Sequence, residues 1–418
     1  MRKRTRGPLA AALLPALLLL GTRLSVAGDT DPQAFSQIQR GRYLTVLSDC
    51  ASCHTVPGSN QPFAGGRSIE TPFGNIVAPN ITPDAETGIG SWSDEQFDAA
   101  VRKGIARNGS RLYPAMPYNA YTKMSHDDVL AIRAYLNTLA PVRNAVEANT
   151  LPFPFNIRAA MRVWDALYFK QGEYQPNPHQ SAEWNRGAFL VEGPGHCGAC
   201  HTPKTFLGGD KTGQDLEGGY LQGWSSPDIT NDTRLGLGAW SKDDLVTYLK
   251  SGHNRVTAAT GPMGEVVTLS TAFMTDSDLN AIATYLKSQP GKGNAPPAVS
   301  ANDPAMTAGS AIYRDQCSAC HGLDGKGIAE LFPSIADSSM VKSSDPTTSI
   351  RIVLRGARSV GTSAQPTASG MPSYGHQLDD DQVAAVLTYL RNTWGGSAAA
   401  VTPEQVSHVR RDTALRPD

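Results

Sequence analysis

The chain has 418 residues, of which 40% are hydrophobic and 18% charged, with 37 basic against 38 acidic side chains. That length exceeds one small domain and predicts two to four, in a globular rather than a low-complexity chain. The near-even charge argues against nucleic acid as a partner, which calls for a basic surface.

The first residues are of a different kind from the rest. Arg2, Lys3, Arg4 and Arg6 precede an apolar run from Leu9 to Leu20, and Ser25-Val26-Ala27 supplies small residues for cleavage. Residues 1–27 therefore read as a signal peptide, because the run is too short to span a bilayer comfortably and contains Pro15. No cysteine lies near the cut, which excludes a lipid-modified start. Removing this leader leaves 32 basic and 38 acidic side chains, a net charge of −6. No other apolar stretch is long enough to cross a membrane.

The first unit covers 28–143. It begins with a segment holding Gly41 and Tyr43, continues through DCASCHT (Asp49–Thr55) and NITPDAETGIGSWSDEQF (Asn80–Phe97), and reaches RLYPAMPY (Arg111–Tyr118). Ser125 is a plausible N-cap for a closing helix whose apolar face is Val129, Ile132 and Leu136, spaced i, i+3, i+7. A connecting segment follows at 144–179, and its stretch IRAAMRVWDALYF (Ile157–Phe169) predicts an amphipathic helix packed on its own domains, with a membrane or partner surface as the alternative.

The second unit, 180–290, repeats this order. Gly187 and Phe189 lead into GHCGACHTPK (Gly195–Lys204), then DITNDTRLGLGAWSKDDL (Asp228–Leu245), then GPMGEV (Gly261–Val266), then a helix capped by Thr275 with Leu279, Ile282 and Leu286. Cys53 and Cys200 are 147 residues apart, and the two loop sequences 148, the mark of a tandem repeat. A linker at 291–302 precedes the third unit, 303–396, which has Gly309 and Tyr313, QCSACHG (Gln316–Gly322), GMPSYG (Gly370–Gly375) and a helix with Val383, Val386 and Leu390. Asp379 is its candidate cap, and the middle loop of the other two is missing. A tyrosine stands before the last apolar residue of each closing helix, at 135, 285 and 389. A glycine allows close approach, so the first and last helices of each unit are predicted to cross there. Residues 397–418 read as a polar tail able only to skim a surface.

All six cysteines lie in three CxxCH motifs: Cys50 and Cys53, Cys197 and Cys200, Cys317 and Cys320. Export invites a disulfide reading, and a redox CxxC explains the pairs, but neither explains the histidine. Structural zinc needs further ligands that are not consistently present. Covalent haem c explains all three residues: two thiols one helical turn apart add to the porphyrin edge, and the next residue offers its imidazole to the iron. The chain is thus predicted to carry three covalently bound haem c groups, with His54, His201 and His321 as proximal ligands, and to fold poorly without them.

The sixth ligand separates an electron carrier from a haem enzyme with an open iron, such as a peroxidase or small-donor oxidase. Met116 and Met263 each stand 62 residues after their histidine, and Met371 stands 50 after His321, all beside prolines and glycines suited to a rigid loop. Methionine ligation fits an electron carrier. The competing reading is a packed core methionine. Met124 and Met274 at the starts of the closing helices look like packing residues. His253 and His376 are rivals without counterparts in all three units, and His196 reads as structural or surface. Trp92 and Trp240 suit either haem propionates or core packing, and Pro79, Pro227 and Pro333 are candidates to orient the proximal imidazoles through backbone carbonyls.

These features resemble the triple-haem cytochrome c subunits of membrane-bound periplasmic dehydrogenases, which serve quinoprotein alcohol dehydrogenases and flavin-dependent gluconate, sorbitol and fructose dehydrogenases. RLYPAMPY, EWNRGAFLVEGPGHCGACHTPK (Glu183–Lys204), GPMGEVV (Gly261–Val267) and GMPSY (Gly370–Tyr374) carry the resemblance, which covers nearly the whole mature chain. It implies an all-α protein of three tandem class I cytochrome c-like domains, each wrapped around one haem, with Met116, Met263 and Met371 as axial ligands. It also implies a large quinoprotein or flavoprotein catalytic partner, with room for a small third subunit, and electron delivery to ubiquinone at the periplasmic face of the cytoplasmic membrane. The chain itself would hold no substrate-oxidising site. A molybdenum-containing aldehyde or heteroaromatic dehydrogenase could use the same carrier.

Overall fold

The computed structural model describes residues 32–293 and 296–414. The predicted leader, with parts of the linker and tail, lies outside them. Helices α1 (Pro32–Leu47), α2 (Cys50–His54), α3 (Asp94–Lys103), α4 (Tyr118–Tyr121) and α5 (His126–Leu136) come first, followed by α6 (Met161–Tyr168) in the connecting segment. Then come α7 (Ala182–Glu192), α8 (Gly198–His201), α9 (Lys242–Ser251), α10 (Gly261–Leu269) and α11 (Asp276–Ser288). The last set is α12 (Pro304–Ile312), α13 (Ser318–His321), α14 (Ser339–Lys342), α15 (Thr347–Arg355), α16 (Asp380–Asn392) and α17 (Pro403–Thr413).

Helix α1 packs on α5, α7 on α11, and α12 on α16. The predicted glycines sit at these crossings. A Cβ on Gly41 would stand 1.7 Å from the Ala131 carbonyl oxygen, one on Gly187 2.0 Å from that of Ala281, and one on Gly309 2.2 Å from that of Ala385. No side chain fits there, so helix backbones touch directly. The predicted apolar faces lie at these contacts: Val129, Leu279 and Val383 are fully buried, and the residues at i+3 and i+7 nearly so. Ser125 and Asp379 form capping boxes and Thr275 accepts from the Asp278 amide, which satisfies the first free N–H groups of each closing helix.

The repeated middle loop folds the same way twice. Asn80 Oδ1 accepts from the Thr82 amide and Asp228 Oδ1 from the Thr230 amide, while Ile89 and Leu237 donate to the Thr82 and Thr230 carbonyls. Ser93 and Ser241 then cap α3 and α9. Three two-stranded antiparallel pairs depart from the all-α expectation: β1 (Ser68–Thr71) with β2 (Gly74–Val77), β3 (Gly219–Leu221) with β4 (Trp224–Ser226), and β5 (Ala357–Arg358) with β6 (Gly370–Met371). Between β3 and β4, Gln222 and Gly223 both take positive φ, the geometry of a tight hairpin turn.

The first two sets of helices share one apolar cluster, running from Leu44, Met124 and Leu136 to Leu190, Leu279 and Leu286. The third set has its own, built on Ile350, Val383, Leu387 and Val406. Val406 belongs to α17, and this corrects the polar-tail reading. Val401, Val406 and Val409 are buried, and Arg410 bonds Asp380 at 2.8 Å and the Leu378 carbonyl at 3.0 Å. Three valines among charged residues make the stretch look polar by composition, but their positions put one face on α15 and α16.

Candidate haem centres

Each CxxCH motif lies on a short helical turn, which places both thiols on one side and the imidazole beyond them. No cysteine is paired with another in a disulfide. Burial pushes the Cys50 and Cys197 thiols up to about 12, and Cys200 and Cys317 up to about 11. Five of the six cysteines are half-buried and Cys320 is exposed.

The three histidines are held alike. His54 Nδ1 donates to the Pro79 carbonyl at 2.7 Å, His201 Nδ1 to that of Pro227 at 2.8 Å, and His321 Nδ1 to that of Pro333 at 3.0 Å. A carbonyl only accepts, so each ring carries its proton on Nδ1 and presents Nε2 as the basic nitrogen. Burial, opposed by this hydrogen bond, holds all three below the ordinary histidine value, which keeps them neutral. Neutral imidazole is the form that binds iron.

A second element completes each clamp, and sequence reasoning missed it. Gly65, Gly218 and Gly327 donate their amides to the carbonyls of His54, His201 and His321 at 2.8, 2.8 and 2.9 Å. All three have positive φ. Each also abuts the segment that holds the accepting proline: a Cβ on Gly65 would lie 2.4 Å from the Pro79 carbonyl carbon, and one on Gly327 2.6 Å from the Pro333 carbonyl oxygen. These glycines follow their histidines at 11, 17 and 6 residues, so no constant spacing betrays them.

The methionines are placed less uniformly. Met116 packs half-buried against the cluster that also receives Cys50, and Met371, on β6, against the one that receives Cys317. Met263 lies in the first turn of α10, where Pro262 pre-sets the helix start, rather than in the rigid loop expected. Met124 and Met274 are buried core residues, as anticipated. His253, the rival to Met263, is 2% exposed and its Nε2 donates to the Val360 carbonyl at 2.8 Å. His376 is exposed and bonds its neighbour Gln377. Trp92 and Trp240 pack against the shared cluster. The set of a cysteine pair, an imidazole with Nε2 presented, and a half-buried thioether fits a covalent haem in each unit.

The centres are also joined to one another. Arg67 reaches the Ser52 carbonyl inside the first motif and clasps Glu265 on α10 at 2.6 and 2.9 Å. Tyr121 donates to the Ser48 carbonyl at 2.6 Å and meets the His196 ring edge-on at 5.5 Å, so His196 is a packing residue between units. Cys200 and Cys53 are near enough to interact electrostatically. Between the second and third sets, Arg351 lies over the Trp224 ring at 4.3 Å, Ser225 and Thr348 exchange hydrogen bonds, and Val360 meets both His253 and Gly264.

The cytochrome c family model matches residues 38–140, 185–290 and 306–394. Among relatives, the gluconate 2-dehydrogenase cytochrome c subunit of Pantoea cypripedii is 40% identical, covering 96% of this chain and 95% of the relative. The alcohol dehydrogenase (quinone) cytochrome c subunit of Gluconacetobacter polyoxogenes is 38% identical over 94% and 87%. The fructose dehydrogenase cytochrome subunit of Gluconobacter japonicus is 36% identical over 96% and 89%. Matched three times along its length, and with a haem-fitting motif in every match, the chain belongs to the cytochrome c family.

Proposed function

We propose that this chain is the three-haem electron-transfer subunit of a membrane-bound dehydrogenase, with units at 28–143, 180–290 and 303–396 each enclosing one haem c. Cys50 and Cys53, Cys197 and Cys200, and Cys317 and Cys320 would hold the porphyrins. The axial pairs would be His54 with Met116, His201 with Met263, and His321 with Met371. Bound haem supplies one-electron chemistry, and thioether ligation raises its potential towards that of a carrier. The protein's own part is to fix the imidazoles. The threefold hydrogen bond from imidazole Nδ1 to a proline carbonyl carries this reading, because it aims a neutral Nε2 at the same place in each unit.

Electrons would enter from a large quinoprotein or flavoprotein subunit, pass between the units through their direct contacts, and leave to ubiquinone at the periplasmic face of the membrane. The relatives' names support a dehydrogenase partner oxidising alcohols, gluconate or sugars. Purifying the tagged full chain from native membranes tests this. The expected result is a large dehydrogenase subunit in the same fraction, whose substrate reduces the haems and, through them, a short-chain ubiquinone. Haems that open to carbon monoxide or turn over peroxide, with no dehydrogenase present, would overturn it in favour of a haem enzyme.

A further inference from the structure

The connecting segment between the first two units has two faces, and the functional reading uses neither. Its inner face is built in. Trp164 and Asp165 on α6 are buried, Trp164 Nε1 donates to the Leu207 carbonyl at 3.1 Å, and Asp165 accepts from the Tyr118 hydroxyl at 2.7 Å and pairs with Arg111 at 3.1 Å. The outer face is bare and apolar. Val163 and Leu167, one helical turn apart, are 63% and 60% exposed. Phe153, Phe155 and Ile157 just before the helix are exposed too. Phe206, 87% exposed, adjoins them, because Thr205 bonds the Tyr168 hydroxyl and Leu207 bonds Trp164. Single exposed apolar residues are ordinary, but six gathered on one short segment and its neighbour are not.

Charge identifies the occupant. Between residues 152 and 170 the exposed ionic side chains are Arg158, Arg162 and Lys170, and the one acid, Asp165, is turned inward and paired. A chain that is net acidic without residues 1–27 thus shows an apolar strip edged mostly by basic groups: Arg162 and Lys170 are exposed, Arg158 bonds the Arg111 carbonyl at 3.0 Å, and the one acid beside Phe206, Asp210, is paired with Lys204. That pairing of an apolar face with a basic border fits a helix lying in the headgroup region of an anionic bilayer. The cavity under α6, about 80 Å³ between Pro114, Pro117, Tyr168, Ala199 and Lys204, is far below the roughly 300–1,000 Å³ of ligand pockets, so the outer surface rather than the cavity is the feature to explain. Among the described residues no helix is long and apolar enough to cross a membrane, so attachment through them would be by a surface.

We infer that the outer face of residues 153–170, with Phe206, docks on the anionic lipid surface of a membrane. This rests on the reading of the chain as a membrane-held subunit and names the surface that does the holding. The Met116 loop and the second CxxCH motif line the cavity beneath α6, so the first two haem sites would lie next to the bilayer.

The haem-loaded full chain should float with vesicles of phosphatidylethanolamine and phosphatidylglycerol, bind phosphatidylcholine vesicles weakly, and be released by salt. The double variant V163E/L167E should bind the anionic vesicles roughly tenfold or more weakly, and R162E should weaken binding less. Both alter exposed side chains, so an unchanged haem absorption spectrum verifies that the fold is intact. Phe273→Glu, at an exposed site in the second unit, should bind as the parent does. Absence of binding by the parent, or equal binding by the double variant, would overturn the inference. So would a double variant that keeps its vesicles but loses its dehydrogenase partner, which would make the face a protein interface. Failure of the carrier reading would show separately, as haems that no dehydrogenase reduces whether or not vesicles bind.

Discussion

Arg67 and Glu265 form a two-pronged ion pair, at 2.6 and 2.9 Å, that ties the first haem-binding turn to the helix bearing Met263. Arg67 also holds the Ser52 carbonyl, so one guanidinium spans the first motif and the second unit's proposed distal helix. Fork-to-fork geometry makes such a pair directional as well as attractive. Its partial exposure, 22% and 32%, limits its strength to about 1–2 kcal/mol. Glu265→Gln should cost that much in chemical denaturation and broaden the methionine–iron charge-transfer band of one haem. Arg67→Lys should perturb the same band, because lysine cannot bond both oxygens. A band unaffected by either change would separate the pair from Met263.

Gly187 is a more severe test of packing. Within a helix alanine is ordinarily better than glycine by about 0.5–1 kcal/mol. Here the added carbon would stand 2.0 Å from the Ala281 carbonyl oxygen, and backbone must move. Gly187→Ala is expected to destabilise the second unit by about 3 kcal/mol or more, read as a Tm lowered by roughly 10 °C or more and as reduced haem loading. An unchanged Tm would mean that the α7 and α11 crossing is looser than described.

Gly327 should act on the iron rather than on the core. Its amide bonds the His321 carbonyl at 2.9 Å, and its φ of 64° and contact with Phe332 and Pro333 leave no place for a side chain. Gly327→Ala is expected to displace the Pro333 carbonyl from His321 Nδ1, which weakens the proximal ligand and raises the reduction potential of one haem. Potentiometric titration against the parent checks this, with two haems unmoved and one shifted. A uniform shift of all three would point to general unfolding instead.

Much of this was legible because haem attachment imposes local spacing. CxxCH, the i, i+3, i+7 faces and the crossing glycines at 41, 187 and 309 all act within one helix or between two helices in the same register. The prolines at 79 and 227 stand directly before the repeated loop, while Pro333, in a unit without that loop, follows its histidine by 12 residues. What escaped was non-local. Gly65, Gly218 and Gly327 share a geometry but no spacing: even in the first two units, where histidine and proline are 25 and 26 residues apart, the glycines stand 11 and 17 residues after the histidine. Arg67 with Glu265, Trp224 with Arg351, and His253 with Val360 join different units, where no periodicity exists to reveal a partner. The tail at 397–418 was misjudged because three buried valines do not outweigh its charges in composition.

Asp278 gives the structure a pH dependence of definite sign. Burial alone would raise this carboxyl, but hydrogen bonds from Arg186 at 2.7 and 2.8 Å and from Tyr43 at 2.8 Å outweigh it and hold Asp278 below the usual aspartate range. Tyr43 comes from the first unit and Arg186 from α7, so the carboxylate joins the two units. A lowered acid contributes stability that is complete above its unfolded value, about pH 4, and is lost as pH falls through the folded value. The first two units are therefore expected to loosen below about pH 4, and Asp278→Asn should remove that part of the acid dependence while lowering stability at neutral pH. Tm measured between about pH 3 and 7 decides this, and parallel curves for parent and variant would contradict it.

The central claim is that each of the three motifs holds its own haem. The intact mass of the exported full chain tests it most directly. The account predicts a polypeptide lacking its leader and carrying three covalent haem c groups, falling to two when Cys317 and Cys320 are both replaced by alanine. A parent mass with two haems or fewer would contradict it.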